Sequence, residues 1–354
     1  MFGWLKAPEA KASAVRVQSY GGRSVWAARD TATLTRRGFA ENPVGFRAVR
    51  MVAEAAAALP VRCDGMMEHP VLDLLSRPNG GQDGVAFREA LLGQMLLTGD
   101  GYVEAVEGQR ELHVLRSDRM SVVPGEDGWP VGYDYRVGGS VHRFGVEAVC
   151  HLRLFHPTDD HYGLSPMAAA ASAVEVHDAA SRWTKGLLDN AARPSGAIVV
   201  GGEALTPEQF ERLSTEIEAH HQGARNAGRP MLLEGGLDWK AMGFSPQDME
   251  FRATKEAAAR EIAMAFGVPP MLLGIPGDAT YANYAEANRA FYRLTVLPLA
   301  AKVWAGLSGF LGAQLAVDLD RVPALSAERD AQWARIAGAD FLSDDEKRSL
   351  LGLS

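Results

Sequence analysis

The residues best suited to chemistry lie between positions 151 and 161. His151, His156 and His161 recur at intervals of five, with Asp159 and Asp160 beside the last of them. Imidazole and carboxylate are ligands for divalent metals, so one reading is a metal-dependent hydrolase. The other reading is a polar surface loop leading to a helix cap at Ser165, with a strand-facing His151. A spacing of five puts these side chains on no regular face, which favours the loop. Other signatures of catalysis are absent. No Lys follows a Gly, so GxxxxGK[ST] cannot occur and a P-loop ATPase is excluded. GxGxxG, HExxH, GxSxG and an EF-hand loop are missing as well. Cys63 and Cys150 can build neither a disulfide framework nor a cysteine-based zinc site, and a reducing compartment is expected. His220-His221 reads as a helix C-terminus, where imidazolium suits the dipole, or as a ligand pair. Asp178, Lys185 and Asp189 form a charged helix face, or one covered in an oligomer.

These residues need a scaffold, and the composition supplies one. The chain has 354 residues, 47% hydrophobic and 23% charged, which is ordinary for a folded protein and ample for two or three domains. The formal net charge of −8 and pI near 5.6 argue against tight wrapping of nucleic acid by global charge. Met1–Ser13 carries Lys6, Glu9 and Lys11 without a long apolar core, so it does not read as a secretory signal. Leu294–Val317 is long enough to span a bilayer, but Lys302 lies well inside it. Leu294, Leu297, Trp304, Leu307, Leu311 and Leu315 recur at helical spacing and predict a buried helix instead.

Residues 1–41 read as a loose arm. Asn42-Pro43 is an N-cap followed by Pro at the first helical position, opening a helix that Pro60 stops. A second helix covers about Gly84–Leu97. From Tyr102 to Phe155 the period changes to two, and short runs separated by Gly, Pro and Asp predict an antiparallel β region. The predicted strands are Tyr102-Val103, Leu112–Leu115, Met120–Val123, Val131–Val137, Val141–Phe144 and Val149–Phe155. Ser165-Pro166 opens a helix running to Asn190. Ser195–Val200 reads as a strand, and Thr206–Gln209 as a capping box. Met231–Leu233 and Leu237–Met242 read as a hairpin. Ser245-Pro246 caps a third helix ending at Phe266-Gly267. After a loop from Met271 to about Tyr281, a long helix runs from Asn283 to Leu315, with a kink at Pro298. A helical tail covers Ser326–Ser354. A small module, Ser195–Met242, therefore projects from a stalk of two long helices.

The order of segments resembles the portal proteins of long-tailed bacteriophages and phage-like gene transfer agents. His69–Asn79, HPVLDLLSRPN, is similar to that family's HPLLxLLxxPN. Leu97–Tyr102 resembles its xxGNAY turn, with Asp100 and Gly101 in place of Asn and Ala. Tyr162–Pro166 is similar to its GxSPL helix start. Ala265–Gly274, AFGVPPMLLG, is the most specific match, followed by Tyr281-Ala282-Asn283 and Phe291-Tyr292. Asn42-Pro43 with its Ala-rich helix completes the series, which covers about residues 40–315.

The resemblance implies an α+β portal-type subunit: a 1–41 arm, a 42–164 wing, a 165–192 stem helix and a 193–244 clip. A 245–267 second stem helix, a 268–282 tunnel loop, a 283–325 long helix and a 326–354 short crown follow. It implies a ring of about twelve copies, closed by heterologous contacts, through which double-stranded DNA is packaged and ejected. By this analogy Gly274, Gly277, Asp278, Thr280 and Tyr281 belong to the tunnel loop. Arg289 and Arg293 face the channel or a neighbouring subunit. Glu208, Glu211, His220, His221, Arg225 and Arg229 lie on the clip, which meets the terminase motor and then the head–tail adaptor. The major capsid protein is a further partner, and a membrane is not. No enzyme activity, cofactor or metal is expected, and the location is the portal vertex of a particle assembled in a bacterial cytoplasm. The alternatives are a ring-forming adaptor or scaffold that conducts no DNA, and the hydrolase using His151–His161.

Overall fold

The computed structural model describes residues 31–64, 66–106, 110–189, 196–200, 206–209, 211–212, 215, 237–241, 251–277 and 281–351. The stretch expected to be part of a loose arm is helical from Thr31. α1 (Thr31–Thr35) runs into a π turn at Arg36–Ala40, and the buried Gly38 sits against Met167, where a Cβ would collide with its sulfur.

α2 (Pro43–Ala57) begins as its sequence predicts. Asn42 Oδ1 accepts the N–H groups of Val44 and Gly45 at 3.1 and 3.0 Å. Its inner face is mostly small: Ala48, Val49, Val52, Ala53, Ala56 and Ala57 are all buried. Small side chains let α2 lie close to α4 (Gly84–Thr98), which contributes Phe87, Leu91, Leu92, Met95 and Leu96. Asp83 caps α4, and Gly99 ends it in the left-handed conformation at φ 89°. α3 (Pro70–Ser76) precedes it, capped by His69.

Six strands occupy the β region: β2 (Asp100–Val106), β3 (Glu111–Leu115), β4 (Met120–Pro124), β5 (Pro130–Val137), β6 (Ser140–Phe144) and β7 (Val149–Arg153). They form two antiparallel sheets of three, ordered β3-β2-β7 and β4-β5-β6. The first belongs to the main core. The second has a satellite core of Tyr102, Leu115, Met120, Tyr133 and Val149. A further strand pair escapes the sequence reading. β1 (Val61–Cys63) pairs antiparallel with β10 (Leu315–Val317).

Ser165 Oγ accepts Ala168 N–H at 2.9 Å and starts α5 (Pro166–Ala169). A break at Ala170 separates it from α6 (Ala171–Asp189), so the expected single helix is divided into two. β8 (Gly196–Val200) pairs antiparallel with β9 (Leu237–Ala241). Met231–Leu233, expected to partner β9, lies outside the described residues. α7 (Phe251–Ala265) then packs along α6, with the Trp183 and Phe251 rings stacked at 5.3 Å.

The long helix differs from expectation at both ends. It is α8 (Tyr281–Phe291), a π turn at Tyr292–Val296, and α9 (Leu297–Leu311). Pro298 has no N–H for an i→i−4 bond, and the widened turn absorbs that defect. Leu297 donates five residues back to Tyr292 O. The extra residue in the π turn also breaks the helical phase. Leu294, expected on the buried face, is 73% exposed, whereas Val296, Ala300, Val303, Trp304, Leu307 and Leu311 are buried. Gly312, at φ 67°, ends α9, so Leu315 falls in β10 rather than in the helix. Asn283–Leu311 is long and apolar enough to cross a membrane by length and composition. Here its inner face forms part of the core. α10 (Ser326–Ala337) and α11 (Asp344–Leu351) close the chain.

Candidate functional site

The five residues first considered for chemistry do not converge. His151 is buried in the β2–β7 ladder, and its Nε2 meets Asp100 Oδ1 at 2.9 Å. Gly163 N–H also donates to that oxygen at 2.9 Å, and the His151 ring stacks on Tyr102 at 4.2 Å. Burial drives both partners toward neutrality, raising the Asp100 carboxyl and lowering the His151 imidazole. His156 Nδ1 accepts Thr158 N–H, and Asp159 Oδ1 accepts the N–H groups of His161 and Tyr162. These are turn-forming bonds within a surface loop. The reading as a polar loop with a strand-facing His151 is the one the geometry matches.

One group of metal-type donors does come together among the described residues: Cys63, Asp64 and His69, with donor atoms within 4.8 Å of one another. His69 Nδ1 accepts Val71 N–H in the α3 cap, so a neutral ring carries its proton on Nε2. That proton, rather than a lone pair, faces Asp64 Oδ2 at 3.6 Å. Asp64 instead accepts Cys63 Sγ–H at 3.8 Å and Gln314 N–H at 3.0 Å, so the cluster is a hydrogen-bonded corner where β1 meets β10. Burial pushes the Cys63 thiol up, assisted by the Asp64 charge.

A different constellation sits where the two packed helices reach the body. Asn42 Nδ2 donates to His177 Nδ1 at 3.1 Å and to Asp178 Oδ1 at 3.0 Å. His177 is buried, and desolvation with the Lys255 charge lowers its pKa. One residue thus caps α2 and fixes the α6–α7 pair to it. Beyond α7 the chain turns at Gly267, φ 65°, where Thr295 Oγ1 donates to Gly267 O at 2.7 Å. Pro270–Leu273 makes a 3-10 turn, and Gly274 ends it at φ 72°. Arg260, on α7, donates to Pro276 O at 2.6 Å and ties the next stretch back to its own helix. Side chains at Gly274 and Gly277 would meet nothing within 4 Å, so this loop is held from one side and open on the other.

Of the expected loop residues, Gly274 and Gly277 lie on this segment, and Tyr281 is the first residue of α8. Asp278 and Thr280 lie outside the described residues. Arg289 and Arg293, one helical turn apart, converge on Glu328 of α10 at 3.6 and 3.4 Å, and Arg289 also meets Glu286 at 3.1 Å. Their partners are within this chain. Glu208 and Glu211 are exposed on a segment whose start is the predicted capping box. Thr206 N–H donates to Gln209 Oε1, and Gln209 N–H donates to Thr206 Oγ1. His220, His221, Arg225 and Arg229 lie outside the described residues. Sequence reasoning missed His177, Asp100 and Glu328 as partners. Their only local signal was a polar residue on an otherwise apolar or charged helix or strand.

The described elements thus run as an α+β body, a helix pair with a small β module between its helices in sequence, a loop and a long interrupted helix. The family profile for phage portal proteins matches residues 43–352. The chain belongs to the phage portal protein family. It is 38% identical over 337 residues to an uncharacterised protein of Rickettsia bellii, covering 89% of this chain and 87% of that one. The portal protein of Enterobacteria phage HK97 is 26% identical over 274 residues, covering 73% of this chain and 64% of that protein. Among solved structures, a chain in the neck of a native gene transfer agent (GTA) particle, computed with C12 symmetry, is 66% identical. The superposition has a TM-score of 0.72 and covers 95% of this chain and 97% of that chain.

Proposed function

We propose that this chain is the portal subunit of a phage-like particle, that about twelve copies close into a ring at one vertex, and that the ring conducts double-stranded DNA inward and outward. The observation that carries the reading is the family match across residues 43–352, joined to 66% identity with a neck chain of a C12 assembly. In this reading no bond is made or broken. Each copy supplies a wedge, and the motor that spends ATP is a separate terminase, in keeping with the missing P-loop.

The segment 274–281 serves as the tunnel loop. It is anchored to α7 through Arg260 and leads into α8, while its glycines leave the exposed side free to flex around a duplex. Net charge supports passage rather than grip. A chain at −8 repels phosphate, and sliding DNA must not be held by Lys and Arg contacts. The pairing of Arg289 and Arg293 with Glu328 removes two guanidinium groups from that role. The β8–β9 module, with Glu208, Glu211, His220, His221, Arg225 and Arg229, serves as the clip that meets motor and adaptor. The body, 42–164 with the long helix, serves as the wing against the major capsid protein.

Deleting Gly274–Thr280 tests the loop assignment in particles. The expected result is rings of unchanged mass in particles that do not fill. Normal filling by the deletion variant contradicts the assignment.

A further inference from the structure

Two turns lie side by side at one end of the β4-β5-β6 sheet. In the first, residues 125–129, Gly125 N–H donates to Trp129 O at 2.7 Å and Trp129 N–H to Asp127 Oδ1 at 3.1 Å. The second, residues 145–148, starts beside Phe144, which pairs with Tyr133 next to Gly132. There Ala148 N–H reaches Gly145 O at 3.2 Å. Trp129 at 73% and Val146 at 46% are exposed on these turns, and Val131 at 59% is exposed at the start of β5 beside them. Glu126, Asp127 and Glu147 lie exposed on the same two turns. The satellite core is completed without them. Three large apolar side chains gathered at one tip, with an acidic rim, have the makeup of a contact surface rather than of scattered exposure.

The rim specifies a basic partner and the centre an aromatic or aliphatic anchor. The chain itself carries such a segment. Residues 1–30 precede the first described helix and hold Lys6, Lys11, Arg16, Arg23 and Arg29 against Glu9 and Asp30. Phe2, Trp4, Leu5 and Trp26 provide anchors. This stretch is positive in a chain whose total is −8. Outside the described residues, the other basic stretch, around Arg225 and Arg229, has no Phe, Trp or Tyr near it. Thirty extended residues reach at most about 100 Å, enough to leave one copy for the next.

We propose that residues 1–30 of one copy dock on the acidic, apolar tip of the β4-β5-β6 sheet of a neighbouring copy, strapping adjacent subunits together. The inference rests on the ring reading, which brings copies side by side. Trp129 is the central anchor, and Glu126, Asp127 and Glu147 steer the basic segment to it.

Assembled rings test the strap. Cys63 and Cys150 are buried, so introduced thiols react selectively. Ala7→Cys with Val146→Cys, treated with a short bismaleimide, should give covalent multimers on a denaturing gel. Ala7→Cys with Phe341→Cys, an exposed site elsewhere, should stay monomeric. Adding Trp129→Ser, Glu126→Lys and Asp127→Lys should cut the multimer yield about tenfold without changing ring mass. Multimers that survive those substitutions, a bridge closed within one chain, or no bridging in rings of the correct mass overturn the proposal. A protein that forms no ring overturns the ring reading, and the strap with it.

Discussion

Asn42 shows how much one side chain can carry. Its oxygen caps α2 and its nitrogen binds His177 and Asp178. Asn42→Ala should cost about 2–4 kcal/mol, one part from the lost cap and the larger part from polar groups orphaned beneath it. A lowered urea midpoint at unchanged slope checks this. The cap was legible, because Asn before Pro is a local signal. The contact to His177 was not, since its partner is 135 positions away. The buried histidines also set a pH dependence. His177 and His151 are both held below the ordinary value of 6.5, chiefly by desolvation. As pH falls through that value the unfolded chain takes up protons that the folded chain refuses, so stability is lost. The slope is at most about 1.4 kcal/mol per pH unit for each histidine. Asp100, raised by burial, acts oppositely at lower pH, because the folded state takes its proton first. Urea titrations between pH 7.5 and 5 should show falling stability, and His177→Gln should flatten the curve.

At the scale of elements, local signals read well and tertiary ones did not. All six strands of the β region were visible as period-two runs bounded by turn residues, and each lies within a few residues of its expected place. Their division into two sheets was invisible, because alternation does not say which strands pair. β1 and β10 were missed for a related reason: each has three residues, too few to show a period, and they sit over 250 positions apart. The π turn explains why Leu294 is exposed while Trp304, Leu307 and Leu311 are buried as expected, since one added residue shifts the side chains before it around the axis relative to those after it. Gly306 marks where α9 lies against β7, for a Cβ there would collide with Leu152. Gly306→Val should separate helix and sheet at a cost of about 1–3 kcal/mol, read as a lower thermal midpoint. Gly309→Ala is the control, because nothing lies within 4 Å of that position.

For the whole molecule, the family was legible from short motifs in order, while the site that defines function was not. A channel belongs to an assembly, and one copy displays only its wedge. The stalk, the module between its helices and the loop beyond them gain meaning when copies are placed around an axis. The ring is therefore best tested by the native mass and end-on image of the purified protein, alone and taken from particles. The expected result is a closed ring of about 457 kDa, twelve times the 38.1 kDa chain, with a central hole wide enough for a DNA duplex. A monomer or dimer in both preparations, or a ring with no such hole, would contradict it.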